Sequence, residues 1–166
     1  MNKERVLILD QQRIGRKLQR MAYQIWERNS HEKELILIGL EKGGMAVAGG
    51  LARALREISP LQVQVLPFRI NKKHPLQDLP RITENLDGKS VVLVDDVANS
   101  GRTLLYALKP LLEYLPAAIM IAVLVDRTHK LFPITPDIVG HTVSTTLQEH
   151  IEVELDGEEI KAAYLQ

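Results

Sequence analysis

The chain contains no cysteine, which excludes disulfides, thiolate zinc sites and cysteine nucleophiles together. Aromatic residues make up only 4%, so the interleaved stacking platforms of many nucleic-acid binders are missing. Neither charge is in excess: 21 Lys and Arg stand against 21 Asp and Glu. That balance argues against a general polyanion binder, which usually carries a basic surplus. Long apolar runs are absent as well. The opening stretch MNKERVLILD offers only Val6 to Leu9, too short for a signal peptide or a membrane span. A cytoplasmic location away from membranes is the expectation.

What is present is material for a core: 166 residues, 45% of them hydrophobic, point to one domain over 1–166. Residues 10 to 29 read as a helix that Asp10 caps, with Ile14, Leu18, Met21, Ala22 and Ile25 at helical spacing. Arg13, Arg16, Lys17 and Arg20 occupy its other faces, the usual pattern of a solvated surface. Short apolar runs follow, of the kind that buried parallel strands show. They are Leu35 to Ile38, Val63 to Phe68, Val91 to Val94 and Ile119 to Val125. Helices are predicted between them, from Gly44 to Ile58 and from about Gly101, the latter kinked or broken just before Pro110. Strand alternating with helix predicts an α/β fold: a doubly wound, mostly parallel sheet flanked by helices. Ile138 to Val143, Ile151 to Leu155 and Ala162 to Leu165 read as short strands without helices between them. Residues 69 to 89 have no clean period and hold Arg69, Lys72, Lys73 and two prolines. A structureless loop of that length predicts a flexible binding loop.

The strongest motif runs from Val91 through Asp95 and Asp96 to Val97, Ala98, Asn99, Ser100, Gly101, Arg102 and Thr103. It reads as a buried strand ending in two carboxylates, then a polar turn that opens a helix. Ligands of open α/β sheets bind at such carboxyl ends. The turn offers main-chain N–H groups, two hydroxyls and a guanidinium at a helix N-terminus, hence an anion site. A sugar phosphate suits both halves. Gly88-Lys89-Ser90 is no P-loop, because the earlier glycine position is Thr83 and a strand follows it. Nor is this a phosphoacceptor receiver domain, since too little chain follows Asp96.

The stretch from Val91 to Thr103 resembles the phosphoribosyl pyrophosphate (PRPP) signature of type I phosphoribosyltransferases. Val6 to Asp10, Ile38 to Gly44, Leu124 to Ile134, Pro136 to Gly140 and Ile151 to Leu155 are similar to one branch. That branch is the bifunctional pyrimidine operon attenuation protein / uracil phosphoribosyltransferase family. The resemblance implies the type I fold with a small hood region to which residues 126–166 contribute. It implies that Asp95 and Asp96 hold the ribose hydroxyls and that Ala98 to Thr103, after Val97, bind the 5′-phosphate. Glu41, Lys42, Gly43 and Gly44 match the pyrophosphate loop, with a non-proline cis peptide expected at Glu41–Lys42. Val125, Asp126, Arg127 and Thr128 match the base-reading region. The branch usually has a bulky aliphatic and Tyr at Ala98 and Asn99, Thr-Arg at Glu41-Lys42, and Gly at Thr128.

On that resemblance the expected reaction is transfer of 5-phosphoribosyl from PRPP to a nucleobase, most simply uracil. Mg²⁺ is expected, held by Asp95 and Asp96 mostly through substrate, with Lys42 and Arg69 adding positive charge. The product is a nucleoside monophosphate, and a homodimer or higher homo-oligomer is expected. Two other readings stay open: an RNA-binding, pyrimidine-nucleotide-sensing attenuator with weak or no activity, and a purine phosphoribosyltransferase. Asn99 counts against the purine, because an amide cannot take the proton that an Asp there would accept.

Overall fold

The computed structural model describes residues 4–166. In chain order these form β1 (Val6–Leu9), α1 (Gln11–Arg28), β2 (Glu34–Leu40), α2 (Glu41–Ile58), β3 (Gln62–Phe68) and β4 (Ser90–Ala98). Then follow α3 (Arg102–Leu111), β5 (Ala118–Arg127), β6 (Ile138–Val143), β7 (Ile151–Asp156) and β8 (Glu159–Leu165). Strands β3-β2-β4-β5-β6 make one sheet, parallel throughout. Its central strands β2, β4 and β5 read as nearly unbroken apolar runs because both faces are covered.

Alternation along each strand divides the core in two. Leu35, Leu37, Val92, Val94, Ala122 and Leu124 face α1 and α2. Ile36, Ile38, Val91, Leu93, Ile121 and Val123 join the cluster that holds Leu104, Ala107 and Leu111 of α3. Small residues let α2 sit close to α1: a Cβ at Gly50 would stand 2.7 Å from Leu18 Cδ1. A second, antiparallel sheet, β1-β8-β7, joins the two ends of the chain.

Several expectations need correction. Val6 to Leu9, to which the sequence reading assigns no element, is a strand, because β8 supplies its partner. Helix α2 starts at Glu41, three residues before Gly44. Strand β4 continues beyond the carboxylates to Ala98, since β5 pairs with it that far. Pro110 lies inside α3, which ends one residue later at Leu111; the break follows the proline. The last strand begins at Glu159, where a tight turn at Gly157 returns the chain to β7. Residues 69–89 contain no regular element, but their second half is tied down. Tyr114 donates to Ile82 O at 2.6 Å, Leu86 is fully buried, and Gly88 N donates to Leu115 O.

Asp10 caps α1 as expected, accepting from Arg13 N at 2.8 Å. The other end rests on a buried pair. Asn29 Nδ2 donates to Ile25 O at 2.8 Å, and Ser90 Oγ donates to Asn29 Oδ1 at 2.6 Å. Removing one member strands a buried hydroxyl, at a cost of about 1–3 kcal/mol. Asn29→Ala should therefore lower the unfolding free energy by that amount, read as a lower denaturant midpoint with an unchanged m-value. A smaller loss in urea titration would show that water replaces the amide.

Candidate active site

The parallel sheet sends the carboxyl ends of β2 and β4 to one edge, and the first turn of α2 packs directly on β4. The two glycines of that turn leave no room for side chains. A Cβ at Gly44 would lie 2.6 Å from Val94 O, and one at Gly43 would overlap the Asp96 carboxylate. Glu41, Lys42, Gly43, Arg69, Asp95 and Asp96 thus line one cleft of about 1330 Å³. Lys72, which sequence reasoning gave no role, lines it too.

The acid pair is held by main-chain donors. Asp96 N donates to Asp95 Oδ1 at 2.9 Å, and Val97 N donates to Asp96 Oδ1 at 2.8 Å. Burial pushes the Asp95 carboxyl well above the usual range. The neighbouring Asp96 charge and a hydrogen bond with its carboxyl add to this, while the Asp96 N–H and the Lys72 ammonium oppose it. Glu41 differs from expectation. The chain has no cis peptide among the described residues; instead Glu41 adopts a left-handed φ of 53°. Its Oε1 accepts from Ile70 N at 2.7 Å.

Beyond β4 the turn ends at Gly101, which caps α3 with φ 84°. A Cβ there would come within 2.5 Å of Ile134 Cγ2, so both conformation and space call for glycine. Ser100 O accepts from Leu131 N and Phe132 N, fastening the turn to the segment after β5. The Ser100 hydroxyl accepts from Arg102 N at 3.3 Å, and the Arg102 guanidinium lies over the Tyr106 ring. Neither Val97 to Thr103 nor Val125 to Thr128 lines the cleft of the acid pair.

All three guanidinium nitrogens of Arg127 are engaged: Nε with Thr145 Oγ1 at 2.7 Å, Nη1 with Asn99 Oδ1 at 3.4 Å, Nη2 with Thr146 O at 3.0 Å. Arg127 thus ties the turn after β4 to the segment after β6. Asp126 pairs with Lys130, whose ammonium also donates to Arg127 O. Lys130 escaped sequence reasoning, although its i,i+4 distance from Asp126 was a usable signal. Thr128 N donates to Val143 O at 3.2 Å.

The phosphoribosyl transferase domain model matches residues 7–158. The chain is similar to the bifunctional protein PyrR of Geobacter sp. (strain M21), 36% identical over 165 residues that cover 93% of each. The bifunctional protein PyrR of Bacillus cereus (strain AH820) is 35% identical over 164 residues, 92% of this chain and 91% of that one. Among solved structures, a hypoxanthine-guanine phosphoribosyltransferase from Bacillus anthracis matches with TM-score 0.75 and 20% identity, over 96% of this chain and 99% of that one. The hypoxanthine phosphoribosyltransferase of Trypanosoma cruzi also gives TM-score 0.75 at 20% identity, over 84% and 82%. Likeness at these identities concerns the fold alone.

The raised Asp95 carboxyl has a consequence for stability. The native state holds a proton that the unfolded chain releases, so this group's contribution declines as pH rises from the ordinary carboxylate range through its folded pKa. Asp95→Asn removes that liability. Melting curves should show the variant gaining stability over wild type at pH 8, with the gain fading towards pH 4. An equal loss at both pH values would contradict the assignment.

Proposed function

Because this chain belongs to the phosphoribosyl transferase domain family, in its bifunctional PyrR branch, we propose that it moves 5-phosphoribosyl from PRPP to uracil and releases pyrophosphate. One observation carries the reading: an acid pair packed against a side-chain-free helix turn, in a cleft that also holds Lys42 and Arg69. Asp95 and Asp96 accept hydrogen bonds from the ribose 2′- and 3′-hydroxyls. Val97 to Thr103 hold the 5′-phosphate through main-chain amides and the Ser100 and Thr103 hydroxyls. The main chain of Lys42 to Gly44 receives pyrophosphate at the positive end of α2. Val125 to Thr128, positioned by the Arg127 network, face the base. The chain works as one domain, with residues 69–89 as its loop and 126–166 in its hood.

No side chain has to become a nucleophile. As pyrophosphate leaves, the sugar gains oxocarbenium character, and catalysis rests on alignment and on fixed charge. Lys42 and Arg69 answer the charge on the departing oxygens. Asp95 and Asp96 offer two carboxylates to the cleft, and one oxygen of each already accepts a main-chain N–H. So sparse a set suits Mg²⁺, which takes few protein carboxylates and completes its shell with substrate phosphates and water. Bound there, it supplies neutralisation of pyrophosphate.

Uracil is favoured by the 36% identity to a PyrR protein and by Asn99, which removes the carboxylate base a purine would need. The solved purine transferases share the fold at only 20% identity. No described helix is long and apolar enough to cross a membrane, in keeping with a cytoplasmic enzyme, and we take it to work as a homo-oligomer.

A second reading, RNA binding, has its own support. Arg13 and Lys17 lie near enough to His141 of β6 that, after burial, their charges lower its pKa. The basic patch is therefore that of α1, set beside a His141 imidazole that burial and these two cations hold towards its neutral form. Arg20 is not free to join it fully, since it donates to Gln24, Val139 O and Gly140 O.

Steady-state assays test the first reading. Uracil should be turned over, with hypoxanthine and guanine at least about tenfold slower, since a general base typically contributes 10²–10⁴-fold; a purine used as fast as uracil would overturn it. For the second, replacing Arg13 and Lys17 by Gln should weaken RNA binding and reduce its salt slope by about one per lost phosphate contact, with uracil transfer unchanged. An unaltered slope would remove this face from RNA recognition.

A further inference from the structure

Strands β2 and β3 run parallel in register to the pair Leu40 and Phe68. At the next residue β2 turns into α2, so the ladder loses its acceptor while the chain leaving β3 still has N–H groups to satisfy. The Glu41 side chain fills the gap: its Oε1 takes the Ile70 N–H at 2.7 Å, where a main-chain carbonyl would otherwise stand. The Ile70 side chain is itself buried, in the core cluster with Phe68 and Leu40. The residue that does this holds a left-handed φ of 53°. A non-glycine residue in that region costs about 1–3 kcal/mol and persists where its surroundings demand it.

The bond stands where the chain leaves the sheet to become the 69–89 loop. Arg69 precedes Ile70 and Lys72 lies two residues beyond it, and both line the cleft that contains Asp95 and Asp96. Lys72 is close enough for its charge to act on the Asp95 carboxyl. We propose that Glu41 is a positioning residue that pins the root of this loop to the turn opening α2, and so holds Arg69 and Lys72 over the acid pair. Its carboxylate serves the loop and leaves anion binding to the main chain of Lys42 to Gly44. The inference rests on the transferase reading for its effect on PRPP, but not for the pin itself.

Two substitutions separate the carboxylate from the backbone. Glu41→Gly keeps a residue suited to positive φ and removes the acceptor; Glu41→Gln keeps an oxygen that accepts the same N–H. By NMR-detected hydrogen exchange on the ligand-free protein, Glu41→Gly should speed exchange at Ile70 by at least about tenfold, the scale of a lost bond to a charged group. Glu41→Gln should stay near wild type. In steady-state assays Glu41→Gly should raise KM for PRPP by about tenfold, with a smaller change in kcat, and Glu41→Gln should restore most of the loss. Unchanged Ile70 exchange in Glu41→Gly would overturn the pin, as would a fall in kcat at constant KM. A wild type that transfers phosphoribosyl to no base overturns the transferase reading instead, and the exchange comparison then decides the pin alone.

Discussion

The contact between the first turn of α2 and strand β4 is the constraint from which the carboxyl edge of the sheet is built. It has no room for a Cβ at Gly43 or Gly44, where the obstacles are the Asp96 carboxylate and the Val94 carbonyl. Because the helix meets the strand without intervening side chains, its unbonded N–H groups stand beside the acid pair. Shifting α2 outward by the thickness of a methyl group would part Gly43 from Asp96 and open the packing of Ala48 and Leu51 on the sheet. The small-residue character of α2 is therefore a requirement of the site as much as of the core. The same closeness explains why the strand-to-helix transition is abrupt, with Glu41 in a left-handed conformation and no loop between β2 and α2.

Charge at this edge is arranged locally in a chain whose net charge is zero. Asp95 is 6% exposed and would be costly to ionise alone; the cation whose charge acts on it, Lys72, and the cleft-lining Arg69 come from a segment outside the sheet. Lys72 and Arg69 belong to the stretch that leaves β3, and Glu41 fixes where that stretch begins. A second polar network stands behind the turn after β4. Arg127 spans Asn99, Thr145 and Thr146, and Glu149 accepts from Thr146 N at 2.6 Å. The segment after β6 is thus bound to the turn after β4 by side chains, where no strand pairing is available to do it.

Local patterns were legible in the sequence. The apolar runs of β2, β4 and β5 and the Asp10 cap of α1 depend on neighbours within a few residues, and each is where periodicity and capping rules put it. The motif around Asp95 was equally plain, since two acids near the end of a buried strand are costly to desolvate unless something makes use of them. Pairings between distant segments were not. Val6 to Leu9 becomes a strand only because β8 returns beside it. The Glu41 to Ile70 bond joins residues 29 apart, and the sequence carries no period that would reveal it. Strand β4 extends to Ala98 for the same reason, through pairing of Val97 with Val125 and Ala98 with Asp126. The cis peptide was an inference by resemblance, and this chain meets the same close approach with a left-handed residue instead.

Asn99 shows how such a long-range contact alters a chemical argument. Taken alone, an amide at that position merely lacks a basic carboxylate. With Arg127 Nη1 at 3.4 Å, the position is also one where a carboxylate would serve poorly. A guanidinium so close favours the ionised form and holds an Asp as a weak base. An Asp at residue 99 would therefore be a weaker base than an unpaired carboxylate, and the amide that stands there is weaker still. The other polar groups at this end of the sheet are the main-chain donors and acceptors of residues 125–128. These are held in place by the pairing of β5 with β4 and β6 and by the Asp126–Lys130 pair.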